Sequence, residues 1–540
     1  MPENIPKVIL APQARGLLRT GFDKMARVLA FTLGPTHGTV FSSTALKPSP
    51  EPITDAATIA RRITALPNRG QDVGAMLLRS LAWRVYQRVG DGTATTAVLA
   101  QAILEQASRY VAAEASPVRV QAGIQKATQR AVAVLKEMAF PVTCQEQLSS
   151  VAYCATRESE LSFLLGEMFD LLGDHAHLEI EKYIAPYLER EYIDGGQWQA
   201  KLVSPHLTSA TGAGKAIARE CNVVLFNGNL SSAEEVLPLI KLLSEQEQKN
   251  LLLVAQKISD AALNILVATH VQNKHRLRFV LVDLVQAGEK ALNDMQDLSL
   301  LTGARLFNPV AGDQLAVIKP ADLGSARRVE ADEEYLRVSG GKGDPALVRE
   351  QIGALQKYLN GLTYDDKRMP EIKMRLGRLS GSLGILKVGA YTQNERDVLY
   401  QKAQQGMYAL QTALDSGVLP GGGTAYLHCI APIEKMECSD EDECMGYRAL
   451  VYALRRPFEQ LLQNAGETNS GRLAHEIMMA SPGLVYDIQK REICPARESG
   501  VLDAAQTLIV SLETASSGAQ MALSTEVLVL KRKPRISYEP

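Results

Sequence analysis

The segment Val89-Gly90-Asp91-Gly92-Thr93 is a tight glycine turn that opens onto a helical pattern, and that pattern begins with hydroxyls at Thr93, Thr95 and Thr96. Phosphate groups need backbone N–H donors that can approach closely, which favours glycine and a helix N-terminus. Gly34, Gly90 and Gly92 supply the glycines, and the threonines add donors. Asp91 has two readings: a hard oxygen ligand of the kind a phosphate-bridging magnesium ion takes, or a residue that merely favours the turn. A second glycine-dense stretch, Gly417-Val418-Leu419-Pro420-Gly421-Gly422-Gly423, lies far downstream. Other chemistry is thinner. His175-Ala176-His177-Leu178-Glu179 brings two histidines on a strand edge, too few for a metal site. Cys438 and Cys444, with His428 and Cys429 nearby, lack a zinc spacing such as CxxC. The acidic run Ser439 to Glu443 reads as a solvated loop, and no catalytic triad or redox pair stands out.

These turns must be positioned by the elements around them. Apolar residues near a 3.6 period predict helices over 16–33, 74–89, 93–113 and 118–138. Gly34 and Pro35 stop the first of them. The middle of the chain changes character. Asn222–Phe226, Asn250–Ala255 and Arg278–Asp283 read as short apolar strands, separated by helical patterns. Ser231 and Glu234 have capping-box spacing before the first of those helices. Strand, helix, strand, helix, strand implies crossover units and parallel pairing. Helices return over 347–362 and 370–379, then a strand at 385–388, a helix over 395–414, and a last strand at 526–530. Helices at both ends around an α/β insert predict that the two ends form one domain.

Composition excludes several classes. The chain has 540 residues, 46% apolar, 22% charged, with a formal net charge of -2. A dedicated nucleic-acid binder needs a basic excess, and 5% aromatics leave little for base stacking. No run of about 18 apolar residues marks a membrane span. The opening residues do not read as a secretory signal. Seven scattered cysteines fit a reducing, cytoplasmic setting.

The glycine turns carry a resemblance. Thr32-Leu33-Gly34-Pro35, Gly90 to Ala100, Lys387-Val388-Gly389-Ala390, Gly417 to Gly423 and Gly500-Val501-Leu502-Asp503 resemble, in order and nearly in spacing, the motifs of the group I chaperonins, the GroEL-like ring ATPases that fold other proteins. The resemblance runs from about Gly16 to Leu530. It implies a multidomain α and α/β chaperonin fold. Residues 1–140 and 412–540 would form a helical equatorial domain, 141–194 and 378–411 a small hinge or intermediate domain, and 195–377 an inserted α/β apical domain. It implies ATP and Mg²⁺ as ligands, with Thr32, Leu33, Gly34, Pro35, Asp91, Gly92, Thr93, Ala94, Thr95, Gly422 and Asp503 holding the nucleotide and Asp91 the metal.

The chain also departs from the family. Counted without gaps between Val388-Gly389-Ala390 and Gly417-Val418-Leu419, the family's catalytic aspartate is Gln405, and Asp397 lies two helical turns upstream. A second pocket carboxylate, Asp55, which the resemblance makes a catalytic position alongside Gln405, is kept, whereas the lysine and glycine flanking it are Thr54 and Ala56. Thr36-His37-Gly38 stands where Lys-Gly-Arg is usual, which leaves His37 either a phosphate contact or a solvent-facing loop residue. ATP binding with weak or absent hydrolysis is therefore expected. The resemblance further implies a client groove of Leu202, Ser204, His206, Leu207, Leu237, Ile240, Leu263, Val267 and Ala268. Without it, Leu237, Ile240, Leu263 and Val267 read as buried stripes of two amphipathic helices. Implied partners are non-native proteins, copies of the chain in a ring or a paralogue in a mixed ring, and a lid co-chaperonin. The alternative expectation is a non-cycling holdase on the same fold.

Overall fold

The computed structural model describes residues 7–34, 40–44, 47–53, 55–173, 177–193, 195–207, 214–245, 249–272, 278–362, 366, 368–381, 383–438 and 440–530. Two compact units account for the chain: Met1–Asp170 with Gln393–Pro540, and Leu171–Thr392. Both ends of the sequence thus fold into one unit, as the helical pattern at either end predicts.

That first unit is helical. The expected helices form at Gln13–Ala30, Arg69–Val89, Thr93–Ala112 and Pro117–Met138. They pack with Glu441–Asn464 and Ala505–Leu523 from the far end of the chain. Phe22, Leu29, Leu78, Leu99, Ile103 and Phe458 are fully buried between them. Helices from the two sequence ends cross in close contact at Gly123 and Gly446. A Cβ on Gly123 would strike the Glu443 carbonyl, and one on Gly446 the Val120 carbonyl, so only glycine permits that helix crossing. Lys7–Leu10 pairs antiparallel with Val527–Leu530, turning Ile9 and Leu528 inward.

One local expectation is overturned. The acidic run is not a solvated loop over its described residues. Asp440 caps the helix Glu441–Asn464, accepting from the N–H groups of Asp442 (3.0 Å) and Glu443 (3.2 Å). Carboxylates in a first helical turn face the positive end of the helix dipole, which is why the sequence places them there. Cys438 and Cys444 flank this cap and form a disulfide, a pairing their spacing did not suggest. Among the described residues no helix is long and apolar enough to cross a membrane.

The second unit holds the α/β module. Ala216–Leu230, Asn250–Ile258 and Phe279–Leu284 pair in parallel, in that order. Leu251 to Ala255 are buried without alternation, as expected of a strand covered on both faces. Antiparallel strands Gly195–Leu202, Gly324–Ala331 and Tyr335–Gly341 join them, so that the pairings return on themselves, and the short Leu306–Phe307 adds a parallel partner to Ala216–Leu230. Ahead of the helix Ala233–Glu245, the Ser231 N–H and hydroxyl donate to the Glu235 carboxylate (3.1 and 3.0 Å), so the carboxylate that reaches back is Glu235 and not the expected Glu234. A separate sheet sets Leu383–Val388 between His177–Lys182 and Leu188–Ile193.

Two buried ion pairs clamp the helix Met369–Ser380 to Glu289–Thr302. Arg375 Nη2 donates to Asp297 Oδ1 (2.8 Å) and its Nε to Oδ2 (2.9 Å), while Arg378 Nη1 donates to Asp294 Oδ1 (2.6 Å). Burial pushes both carboxyls up, and the neighbouring guanidinium opposes it. Removing one partner of such a pair strands the other charge. Asp297→Ala should therefore cost about 3–5 kcal/mol, read as a lower urea midpoint for unfolding of the Leu171–Thr392 unit within the full chain.

Candidate functional site

The first unit contains a cleft of about 400 Å³. Its floor is the Gly90–Gly92 reversal. Gly90 (φ 70°) ends the helix Arg69–Val89 and Gly92 (φ 82°) begins Thr93–Ala112. Both are left-handed, which only glycine adopts without strain. A Cβ on Gly90 would also meet the Tyr408 ring, and one on Gly92 the side chains of Ser511 and Thr507. Asp91 is thereby held between two helix ends and aimed into the cleft.

The walls come from separate parts of the unit. Thr32, Leu33 and Gly34 follow the first helix, and Asn464 Nδ2 pins their backbone at the carbonyls of Ala30 (2.8 Å) and Leu33 (2.7 Å). Asp55 caps the helix Ala56–Arg62, accepting from the N–H groups of Ala57 (3.2 Å) and Thr58 (2.7 Å) and from the Thr58 hydroxyl (2.7 Å). Val418–Pro420 pairs antiparallel with Leu502–Ala504, which sets Leu419 opposite Asp503 and brings Gly422 beside its carboxylate. The helix Gln393–Ser416 contributes Lys402 and Gln405 to the lining.

Every described residue expected to hold nucleotide lines this one cleft, together with Asp55 and Gln405. Pro35, Thr36, His37 and Thr54 lie outside the described residues. The sequence reading missed Arg157, Lys402, Cys154 and the turn Tyr486 to Gln489, all of which line it too. Lys402 was findable, three residues before Gln405 on one helix. Arg157 had no local signal.

The electrostatics are those of a deep pit. Asp91 lines the cleft with its side chain accessible to solvent, and desolvation by the surrounding protein still pushes its pKa up, against the Gly92 N–H and the Arg157 charge. Asp503 is raised to about 6, by burial first and by the Asp91 charge second. The Cys154 thiol is pushed up to about 12 by burial and by Asp503, so it is neutral and no nucleophile. Thr93 Oγ1, Thr507 Oγ1 and Arg157 Nη1 are buried without a hydrogen-bond partner among the described residues. Among those residues no group of three or more His, Cys, Asp or Glu side chains forms a metal cage.

The family model described as the TCP-1/cpn60 chaperonin family matches residues 25–533. The chain belongs to that family. Among solved structures, the chaperonin gp146 from the bacteriophage EL 2 (Pseudomonas aeruginosa), crystallised in the presence of ATP-BeFx, matches with a TM-score of 0.74 at 18% identity, over 97% of this chain and 99% of that one. A second crystal form of it matches with a TM-score of 0.63 at 17% identity, over the same shares. At that identity the likeness shows the chaperonin fold alone.

Within this chaperonin's second unit, the expected client groove divides. Leu202 and Leu207 are core residues and Ser204 is buried, so these three face inward. His206 and Ala268 are exposed, and Ile240, Leu263 and Val267 are partly buried against the core. Leu237 is 50% exposed. The buried stripes of the two helices are instead Val236, Leu239 and Leu243, and Ala262, Leu266 and His270. The simpler stripe reading of Leu237 therefore does not hold.

A carboxyl raised from an ordinary 3.8 to about 6 binds its proton more tightly in the folded state. Stability gained from Asp503 is then fully present below pH 4 and is lost as pH rises through about 6. Asp503→Asn keeps an acceptor for the Gly422 N–H and removes the charge. It should raise the ligand-free melting temperature at pH 8 and flatten its dependence between pH 4 and 7, measured by thermal scans across that range.

Proposed function

We propose that this chaperonin binds ATP with Mg²⁺ in the cleft and hydrolyses it weakly or not at all, while assisting the folding of, or holding, non-native proteins. In the terms of the family's architecture, the cleft belongs to the equatorial parts 1–140 and 412–540 and to the hinge segments that border them. One observation carries the reading. The helix Gln393–Ser416 contributes Lys402 and Gln405 to the cleft and no carboxylate.

The residues present fit the nucleotide. Left-handed glycines, the start of Thr93–Ala112 and the unpartnered hydroxyls of Thr93 and Thr507 offer what a phosphate chain needs. Asp91, with Asp503 nearby, is a partly desolvated carboxylate lining the cleft whose charge asks for a cation, and magnesium takes one or two carboxylates plus phosphate oxygens. Bound magnesium would supply charge neutralisation at the phosphates. Gln405 can orient a water but cannot take its proton, and loss of a general base costs about 10²–10⁴-fold in rate. Asp55 does not replace it, because both its oxygens are engaged as a helix cap.

Purified protein should release phosphate slowly in steady state. Gln405→Asp should raise that rate by about 10²–10⁴-fold, and Asp91→Ala should abolish ATP binding in a calorimetric titration. Wild-type turnover equal to that of an ordinary chaperonin, and lost in Asp91→Ala, would overturn the reading.

Exposed Leu237, with the partly buried Val267 on the neighbouring helix, supports client binding at this face. An unfolded chain presents apolar surface, and an exposed aliphatic face is what receives it. Leu237→Ser with Val267→Ser should weaken capture of a denatured client severalfold with the fold intact; undiminished capture would move the client surface elsewhere. A non-cycling holdase, or a partner in mixed rings, is the second reading, and Gln405 favours it. Native mass measurement with and without ATP separates a ring that responds to nucleotide from one that does not, and reveals a paralogue or lid protein bound to it.

A further inference from the structure

The charges lining the cleft leave one cation unassigned. Among the described lining residues, the aspartates Asp55, Asp91, Asp487 and Asp503 face only Arg157 and Lys402. Several of these are already engaged. Asp55 caps a helix. Asp487 accepts from the N–H groups of Gln489 (2.9 Å) and Lys490 (3.2 Å). Lys402 Nζ is held by Glu158 at 2.6 Å. Asp91 and Asp503, each met by one backbone N–H, of Gly92 and Gly422, remain with Arg157.

Two independent features of Arg157 are costly to the protein. It is the C-cap of the helix Gln145–Thr156, with φ 60°, and donates its own N–H to the Tyr153 carbonyl (2.9 Å). Glycine is the usual residue at such a left-handed cap, and a side chain there is strained. Its Nη1 is also buried with no acceptor among the described residues. A buried guanidinium nitrogen without an acceptor is unfavourable. Strained backbone and an unanswered donor at one residue, in one cleft, call for a ligand acceptor that completes the arrangement.

We propose that Arg157 binds the phosphate chain of the nucleotide, supplying a fixed guanidinium fork in a cleft otherwise dominated by carboxylates. This rests on the nucleotide reading given above. Arg157 lines the cleft from that left-handed cap, within electrostatic reach of Asp91 and Asp503. A guanidinium matches a phosphate through paired N–H donors and stays charged when buried. It also offsets the repulsion that Asp91 and Asp503 present to a polyanion. Adenosine, which has no phosphate, should be indifferent to it.

The test is calorimetric titration of the full chain with ATP, ADP and adenosine, comparing wild type with Arg157→Gly and Arg157→Lys. Glycine relaxes the backbone at φ 60° while removing the fork. Lysine keeps the countercharge to Asp91 and Asp503 and so guards against a variant that fails to fold. Arg157→Gly is expected to lose about ten- to a hundredfold in ATP and ADP affinity, with adenosine affinity changed less than about twofold. Arg157→Lys should lose less than Arg157→Gly, but still about threefold or more. Unchanged ATP affinity in both variants, or an equal loss for adenosine, overturns the assignment. Wild-type protein that binds neither ATP nor ADP fails the nucleotide reading itself, and the assignment falls with it.

Discussion

The helical unit turns on the reversal between Gly90 and Gly92. Two long helices, each buried along much of its length, have to meet end to end within three residues, and both glycines must be left-handed to allow it. The packing that buries Leu78, Leu99 and Ile103 on these helices therefore also dictates where Asp91 and the free N–H groups of Thr93–Ala112 point. A helix start held by a hydrophobic core is a rigid donor array, and rigidity is what makes it useful to a phosphate. Ser511 and Thr507 close against the same turn from the last long helix, so the far end of the chain completes the floor.

Charge is the cost of that arrangement. The cleft gathers carboxylates, and after burial itself Asp55 pushes Asp91 upward and Asp91 pushes Asp503 upward. Three remedies are visible. Helix and turn N–H groups absorb Asp55 and Asp487, Lys402 is tied to Glu158, and Arg157 faces the remaining pair. The α/β unit handles buried charge differently. Asp294 and Asp297 each have a dedicated arginine in hydrogen-bonding geometry, which is a structural solution that leaves nothing over for a ligand. Buried ions satisfied within the protein hold helices together, and buried ions left unsatisfied mark where something else belongs.

Gln405 gives this cleft its particular chemistry. It lines the cleft from the helix Gln393–Ser416, which also brings Lys402, while the Asp91 turn lines the same cleft from other helices. An amide in that place keeps hydrogen bonding and forgoes proton transfer. Binding and turnover would thus be separable in the same fold, because the N–H donors suited to phosphate lie at the Gly90–Gly92 turn and Gln405 lies on a different helix.

What the sequence determined by itself was whatever is encoded locally. A demand for positive φ can be met only by glycine, so the turns at Gly34, Gly90–Gly92 and Gly422–Gly423 were legible, and apolar periodicity placed the long helices and the three parallel strands within a few residues. Gln405 could be located because helix length between two glycine landmarks is a matter of counting. The tertiary structure alone decided the rest. Nothing in Thr156-Arg157-Glu158 signals a left-handed arginine in a cleft, since its backbone strain and missing acceptor exist only once distant segments close around it. Leu202 and Leu207 turned out buried while Leu237 is exposed, because which face of an amphipathic element meets the core depends on its neighbours. Cys438 and Cys444 come together because Asp440 starts a helix between them, a cap that needed the fold around it to be chosen over a solvated loop.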